Sequence, residues 1–130
     1  MSNEPRRTLT LDAGALIAVE RNAATLVRVL GAAVADEVPI FIPAGALAQA
    51  WRGDARQARI AKMLQDPSVS VVSLDEPRAR LVGTICGRSR TKDVIDASVV
   101  LCAREHSSTI VTSDPKDILR LDPNARVISV

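Results

Sequence analysis

The sequence predicts an α/β fold: a three-layer α/β/α sandwich around a mainly parallel central sheet. Short β-prone runs alternate with helix-prone segments along the whole chain, the usual pattern of parallel strands joined by crossover helices. Some strand candidates are mostly apolar, such as residues 69–72, which indicates a sheet covered on both faces. The 130 residues suit one compact domain over residues 8–130, preceded by a flexible polar leader over residues 1–7.

The first half of the chain alternates strand and helix candidates. A β-prone run over residues 8–11 ends at Asp12, and apolar residues then recur at helical spacing over 13–20 and 25–37. Pro39 and Pro43 bracket a strand at 40–42. Two helices are predicted next, over residues 44–51 and 55–65, followed by a valine-rich strand over 69–74.

The second half continues the alternation. Asp75 is a predicted N-cap with Pro77 in the first turn, and this helix should run to about Gly87. The most apolar helix covers residues 93–105. A strand at 109–112, a short helix at 116–121 and a last strand at 126–130 complete the chain.

Composition excludes several classes of site. The two cysteines have neither metal-ligand nor redox spacing, and the single histidine, His106, has no evident partner, so we expect it to be solvated. The net charge of +2 is too small to indicate a nucleic-acid partner by itself. Phe41 and Trp51 are the only aromatic residues, which argues against sheets that stack several bases. Trp51 is expected in the core or in a subunit interface.

Targeting signals are also absent from the sequence pattern. No segment reaches 18 apolar residues, so no transmembrane helix is expected. Arg6-Arg7 precedes an apolar run, but Asp12 interrupts that run and no small-residue cleavage site follows. The expected compartment is therefore the cytoplasm.

Three carboxylates stand out as candidate site residues. Asp12 and Asp114 each follow a predicted strand, and sites in open parallel sheets form beyond the carboxyl ends of strands. Asp96 lies in the most apolar helix, where a carboxylate is costly to bury unless it is paired, hydrogen-bonded or metal-bound. Converging carboxylates repel one another, and oxygen-only ligands suit Mg²⁺ or Mn²⁺.

Each acid also has a structural interpretation. Asp12, Asp93 and Asp114 are all at positions where they could cap a helix. Asp117 could interact with the dipole of its helix, without binding a ligand. Asp93 lies one turn before Asp96 on the same face, so it could instead be an additional metal ligand.

Weaker candidates surround these acids. Glu20 adjoins Arg21 and is expected to form a solvated surface pair. Thr112 and Ser113 could hold a metal-bound water or make a local turn bond.

Basic residues cluster in two segments of the sequence, which we call basic concentrations. Each has two interpretations: it contacts RNA phosphates, or it is ordinary solvated surface. The first is expected along one face of the helix after Trp51 and comprises Arg52, Arg56, Arg59 and Lys62. The second leads towards Asp93 and comprises Arg78, Arg80, Arg88, Arg90 and Lys92.

The order and spacing of four short motifs resemble those of PIN-domain proteins, and most closely the VapC-type ribonuclease toxins of VapBC systems. The resemblance covers residues 8–130 and is carried by Leu11-Asp12-Ala13, Ile42-Pro43-Ala44, Val94-Ile95-Asp96-Ala97 and Val111-Thr112-Ser113-Asp114. It implies an α/β/α sandwich, an acid cluster that binds Mg²⁺ or Mn²⁺, and endonucleolytic cleavage of RNA. It also implies a homodimer and a small antitoxin partner that occupies the active-site cleft.

Carried over to this chain, the family acids fall on Asp12, Asp96 and Asp114, with Asp117 as an additional acid in the same loop. The usual glutamate after the second strand is replaced by Gln49, so the site carries one negative charge less. Asp93 is the candidate that could compensate.

Phosphodiester hydrolysis at such a site needs an activated water and no protein nucleophile. The alternative is a catalytically weak or inactive PIN-like module that binds RNA or a protein. A haloacid-dehalogenase-type phosphatase is disfavoured because Gly14 stands where that family needs a second aspartate. No G-x-G-x-x-G motif follows the first strand, which disfavours dinucleotide binding.

Overall fold

The computed structural model describes residues 7–130, so the predicted polar leader lies outside the described residues except for Arg7, which is exposed. Within this range five strands alternate with seven α-helices. The strands are β1 (Thr8–Leu11), β2 (Ile40–Pro43), β3 (Val69–Val72), β4 (Ser108–Thr112) and β5 (Val127–Ser129). The helices are α1 (Ala13–Glu20), α2 (Ala24–Ala35), α3 (Ala44–Ala50), α4 (Ala58–Leu64), α5 (Glu76–Ser89), α6 (Val94–His106) and α7 (Pro115–Leu121).

All five strands are parallel and lie in the order β3-β2-β1-β4-β5. The chain first builds the sheet outward from β1 to β3, then returns so that β4 pairs with the other side of β1. The strand order therefore reverses between β1 and β4, and a crevice forms at such a point beyond the carboxyl ends of the two strands.

Helices cover the sheet on both faces. On one face, Leu9 and Leu11 of β1 pack in a core cluster with Leu16 of α1 and Ile60 of α4. On the other face, α6 packs on the sheet, and Thr10 of β1 lies 3.6 Å from the Cys102 sulfur. These two helical layers and the parallel sheet confirm the predicted α/β/α sandwich.

The most apolar predicted helix is also the most buried one. Seven consecutive residues of α6, from Ala97 to Ala103, are buried, because α5 and α7 flank it while its remaining side faces the sheet. Burial on all sides removes the need for a polar stripe. The predicted helix is thus confirmed.

The strand over residues 69–74 differs from the prediction. β3 ends at Val72 and is an edge strand, with Val71 47% exposed. It is not covered on both faces; β1 and most of β4 are the strands buried on both faces. Apolar composition alone does not distinguish an edge strand from a central one.

Two further expectations are corrected. His106 is not solvated: its ring stacks on Phe41 with centroids 3.8 Å apart, and its Nδ1 lies 2.9 Å from the Cys102 carbonyl oxygen. Trp51 is not a core residue: it follows α3 and is 39% exposed. In the part of the chain that is described, no helix has both the length and the apolar character needed to span a bilayer.

Candidate active site

Asp12 lies at the junction of β1 and α1, where the sheet order reverses. Its carboxylate accepts a hydrogen bond of 2.8 Å from the backbone N–H of Ala15, so it caps α1. The side chain is nearly inaccessible, with 5% of the residue exposed. Burial raises the pKa of Asp12, the Thr112 hydroxyl and the Ala15 N–H lower it, and the negative charge of Asp114 raises it again. Asp12 therefore does cap α1, but the capping hydrogen bond does not neutralise its carboxylate.

Asp96 lies in the first turn of α6, half-buried. Asp93 is the N-cap of this helix, and its carboxylate accepts a 2.9 Å hydrogen bond from the backbone N–H of Asp96. Burial, followed by the charge of Asp93, raises the pKa of Asp96 to about 7. The charges of Asp12 and Asp117 act in the same direction, which places both of these acids near Asp96.

Asp114 and Asp117 approach from the carboxyl end of β4. Asp114 occupies the N-cap position of α7, but its side chain makes no capping hydrogen bond. Its backbone N–H instead donates to the Thr112 hydroxyl at 2.9 Å, so Thr112 makes the local turn bond. A hydrogen bond with Asp114 and the charge of Asp114 raise the pKa of Asp117, and Asp93 adds to this.

These five acids define the acidic cleft: Asp12, Asp93, Asp96, Asp114 and Asp117. Three of them, Asp93, Asp96 and Asp117, line one cavity of about 90 Å³ together with Ser89, Thr91, Arg120 and Leu121. Each ion pair found within residues 7–130 uses other carboxylates. The cleft therefore concentrates negative charge without a paired cation from the described chain.

The donor chemistry of the cleft fits a hard divalent cation, since carboxylate oxygens are the ligands that Mg²⁺ and Mn²⁺ prefer. The geometry is more open than expected. Over residues 7–130, no three acidic, His or Cys side chains are grouped tightly enough to hold one ion together. The acids are instead paired: Asp93 shares a side-chain hydrogen bond with Asp96, and Asp114 shares one with Asp117. The backbone thus brings the acids to one edge of the sheet, in pairs and not in one tight group of ligands.

A glycine allows the two halves of the cleft to approach. A Cβ at Gly14 would lie 1.9 Å from the Ser113 hydroxyl oxygen and 3.5 Å from an Asp12 carboxylate oxygen. The first turn of α1 and the residue before Asp114 are therefore in close contact only because position 14 has no side chain. Ser113 is exposed at this contact.

Gln49 and Glu20 lie elsewhere. Gln49 is exposed on α3 and does not line the cavity that Asp93, Asp96 and Asp117 share. Glu20 does not form the expected surface pair with Arg21: its carboxylate accepts from the backbone N–H of Ile60 at 2.9 Å and so holds the start of α4. Glu20 therefore has a structural role that its sequence context did not indicate.

The first basic concentration is not one helical face. Arg52 lies in the loop after α3 and donates to the Trp51 carbonyl, and Arg56 lies in a 3₁₀ turn and pairs with Asp54 at 3.0 Å. Arg59 is on α4, but it donates to the Glu20 carbonyl at 2.9 Å. Local structure thus uses these three side chains. Lys92, by contrast, is exposed beside Asp93.

Arg120 lines the acid cavity, although the sequence had not suggested it. It lies three residues after Asp117 on α7, a spacing that places both side chains on one helical face. That spacing was the available signal, but it acquired meaning only once Asp117 was placed at the cleft.

Comparison with known proteins supports the architecture. The family described as PIN domain matches residues 9–122. VapBC2 from Rickettsia felis bound to a promoter DNA fragment is similar, at 13% identity and TM-score 0.71 over 94% of this chain and 98% of the other. FitAcB from Neisseria gonorrhoeae is similar at 17% identity and TM-score 0.66, over 94% of this chain and 97% of the other. FitAB bound to the IR36 DNA fragment is similar at 18% identity and TM-score 0.67, over 94% of each chain. No match was found among curated proteins.

Proposed function

The chain belongs to the PIN domain family, and from that premise we propose that it is a metal-dependent endoribonuclease, the cytoplasmic toxin of a toxin–antitoxin pair. One observation carries the proposal. Five carboxylates from three separate parts of the chain meet at the reversal point of a parallel sheet, and the described residues supply no ion pair to any of them. Neighbouring negative charges raise the pKa of Asp96 and Asp117, and a bound divalent cation would relieve that repulsion.

The proposed catalytic residues are Asp12, Asp96 and Asp114, and Asp93 and Asp117 are additional proposed ligands of Mg²⁺ or Mn²⁺. When bound, such an ion supplies charge neutralisation for a phosphate and activation of a water for in-line attack. The chain's own part is positional. The α1 N-terminus holds Asp12, the first turn of α6, capped by Asp93, holds Asp96, and the Thr112 hydroxyl holds the backbone at Asp114.

A specific observation favours the second candidate, a weak or inactive PIN-like module that binds RNA or protein. Gln49, at the position of the usual family glutamate, is neutral and exposed. One anionic ligand fewer lowers affinity for a hard cation. Retention of the other acids favours the enzyme.

Cleavage of RNA distinguishes the two. Wild type, Asp96→Asn and the control Asp36→Asn, an exposed carboxylate at the end of α2, are incubated with labelled single-stranded RNA in Mn²⁺, Mg²⁺ or EDTA. We expect cleavage by wild type and Asp36→Asn in either metal, and none by Asp96→Asn or in EDTA. Cleavage that survives in EDTA, or in Asp96→Asn, would contradict the proposed mechanism. Binding without any cleavage would favour the second candidate.

The proposed partner is a small antitoxin. An open groove of about 720 Å³ runs between α2 and α4, with Leu26 and Leu30 among its apolar lining residues and Arg59 and Lys62 along α4. Val27 of this groove is 49% exposed. An amphipathic helix with an apolar face and flanking acidic residues would complement both the lining and the charges. The similar VapBC2 and FitAB structures are each bound to a DNA fragment, that of VapBC2 coming from its own promoter, and the resemblance to VapBC systems implies an antitoxin partner.

The partner is tested by co-expression with the product of a short adjacent reading frame. Val27→Asp should abolish co-purification, because it places a charge in the apolar groove. Leu81→Asp, at an exposed position on α5, is the matched control and should leave the complex intact. Equal retention of the partner by both variants would place its contact outside the groove.

A further inference from the structure

The second basic concentration contains side chains that the fold does not use. Arg78 pairs with Asp75 at 3.3 Å and with Glu105 at 3.2 Å, and Arg80 pairs with Glu76 at 3.4 Å. Arg88, Arg90 and Lys92 are exposed, and no ion pair within residues 7–130 includes them. The structure therefore divides this concentration into a paired part on the first half of α5 and an unpaired part beyond it.

The unpaired part borders the acidic cleft. Ser89 and Thr91 line the cavity that holds Asp93 and Asp96, so Arg90 lies between two lining residues. On the opposite side of the cavity, Arg120 is itself a lining residue, and the exposed Lys116 adjoins Asp117. Five basic residues thus either line this acidic cavity or directly adjoin a residue that lines it. We refer to Arg88, Arg90, Lys92, Lys116 and Arg120 as the basic rim.

We infer that the basic rim binds the phosphodiester backbone of a nucleic acid across the acidic cleft. The inference rests on the proposed function and assigns how its substrate is held. An acidic floor repels phosphates, so a polyanion can lie over it only if cations flank it on both sides. The rim supplies such cations from the end of α5, from the α5–α6 loop and from α7. Several of the other basic residues already have partners: Arg56, Arg78 and Arg80 pair with carboxylates, and Arg52 and Arg59 donate to backbone carbonyls.

The composition of the cleft also indicates how the backbone is read. Among residues 7–130, no aromatic side chain lines the cavity, since Phe41 stacks on His106 and Trp51 lies after α3. Binding that cannot stack bases depends on phosphate contacts, which do not specify sequence and weaken steeply with salt. An acidic peptide is the other polyanion that a basic rim could attract, but it lacks the regular charge of a phosphodiester chain.

The test compares two double variants that remove the same charge. Arg90→Gly with Lys92→Ala removes two rim cations, and Arg56→Ala with Arg80→Ala removes two paired cations elsewhere. Arg90 has a left-handed backbone with φ of 54° at the end of α5, where glycine is favoured, so this replacement should not unfold the protein. Binding of a fluorescent mixed-sequence single-stranded RNA is measured by anisotropy in EDTA, so that cleavage does not consume the probe.

We expect the rim variant to bind RNA roughly tenfold more weakly at about 100 mM salt, with little change in the paired-cation variant. The slope of log Kd against log salt should fall by about 1.4, from two contacts at about 0.7 each on a single strand. Single-stranded DNA should behave like RNA, and polyglutamate of equal charge should bind more weakly than both.

Equal losses in the two variants would overturn the inference, since the rim would then be no more than general positive charge. Polyglutamate binding as tight as RNA would overturn it in favour of an acidic protein partner. The result is independent of the proposed catalysis. If the protein binds RNA through the basic rim but never cleaves it, the proposed nuclease activity is contradicted and the binding role of the rim stands. If the rim variant cleaves RNA as well as wild type does, the binding role of the rim is contradicted and the nuclease activity stands.

Discussion

The carboxylate of Asp96 is held half-buried in the first turn of α6, near three other acids. Because burial and the charge of Asp93 raise its pKa from 3.8 to about 7, its ionised form destabilises the fold at neutral pH. This rise in pKa corresponds to a loss of at most ~4 kcal/mol in the free energy of unfolding. Partial solvation of the carboxylate reduces that loss to about 1–2 kcal/mol. Replacing Asp96 by a neutral residue also removes a favourable interaction with the dipole of α6, worth about 0.3–1 kcal/mol, which is smaller than the stability gained.

Asp96→Asn should therefore raise the melting temperature in EDTA at pH 8, by roughly 3–6 °C, the change that about 1 kcal/mol produces in a chain of this size. The sign with pH follows from the raised pKa. The penalty is absent below about pH 4, grows as pH rises from about 4 to 7 and is constant above, so the gain should shrink on acidification. Differential scanning calorimetry of Asp96→Asn against Asp36→Asn measures it. A variant that melts below wild type at pH 8 would show that Asp96 stabilises the fold.

Gln49 tests how far the family pattern extends to this chain. If it occupies the position of the missing acid, Gln49→Glu adds an anionic ligand and should bind Mn²⁺ more tightly than wild type. The variant should also gain more thermal stability from Mn²⁺, as linkage requires. Isothermal titration calorimetry decides, with Gln65→Glu, an exposed glutamine at the end of α4, as the control. Equal Mn²⁺ affinities would place Gln49 outside the site and leave Asp93 as the compensating acid.

At the residue scale, the sequence singled out acids where a chemical conflict was visible, and their roles as site residues stay predictions. An acid inside an apolar helix and acids after two strands are such conflicts, and all three lie at the same edge of the sheet. The predictions that Glu20 and His106 are solvated were wrong, because each side chain has a partner far away in the sequence. Glu20 accepts a hydrogen bond from Ile60, and His106 stacks on Phe41. Those pairings arise only from tertiary packing and leave no local pattern.

Among the elements, the link between α3 and α4 depends on one buried glutamine. The side-chain oxygen of Gln57 accepts from the backbone N–H groups of Arg52 and Gly53, and its Nε2 donates to the Ala50 carbonyl at 2.7 Å. One side chain thus provides hydrogen-bond partners for three backbone groups of the loop. Positive φ at Gly53, 74°, provides the turn that makes this possible.

Gln57→Ala should destabilise the protein by about 1–3 kcal/mol, because it leaves part-buried donors and an acceptor without partners. Urea unfolding monitored by circular dichroism measures the change, with Gln65→Ala as an exposed control. Gln57→Glu is informative as well, since it keeps the acceptor but loses the donor to Ala50. Stability equal to wild type in Gln57→Ala would mean that water replaces all three bonds.

Element boundaries were predictable from capping and proline signals. Asp75 caps α5 through a 3.0 Å bond to the Arg78 N–H, and Pro115 opens α7. The position of β3 at the sheet edge was not predictable, since its valines would suit a central strand equally well. Strand order is set by long-range pairing, and composition reports only that a strand has apolar neighbours on at least one face.

For the whole molecule, the parallel sheet explains why distant acids meet. Because every strand runs in the same direction, all carboxyl ends lie at one edge, and the order reversal brings the ends of β1 and β4 side by side. The sequence predicted this edge from alternation alone. It could not predict the spacing of the carboxylates, which depends on side-chain orientation and on which acids share a hydrogen bond.

Exposed apolar surface favours self-association of the chain. We expect the protein alone to be a homodimer at micromolar concentration, as its resemblance to VapC-type proteins implies. Large apolar side chains remain exposed on one chain, including Trp51 and Leu74 at 39% and 41%, and covering such surface is a common reason for dimerisation. Light scattering should give about twice the 13.9 kDa of one chain. Trp51, the only tryptophan, is an intrinsic reporter: if its surroundings are part of the contact, its emission should move to shorter wavelength as concentration rises. A monomer mass at micromolar concentration would contradict the prediction, and a dimer with unchanged emission would place the contact away from α3.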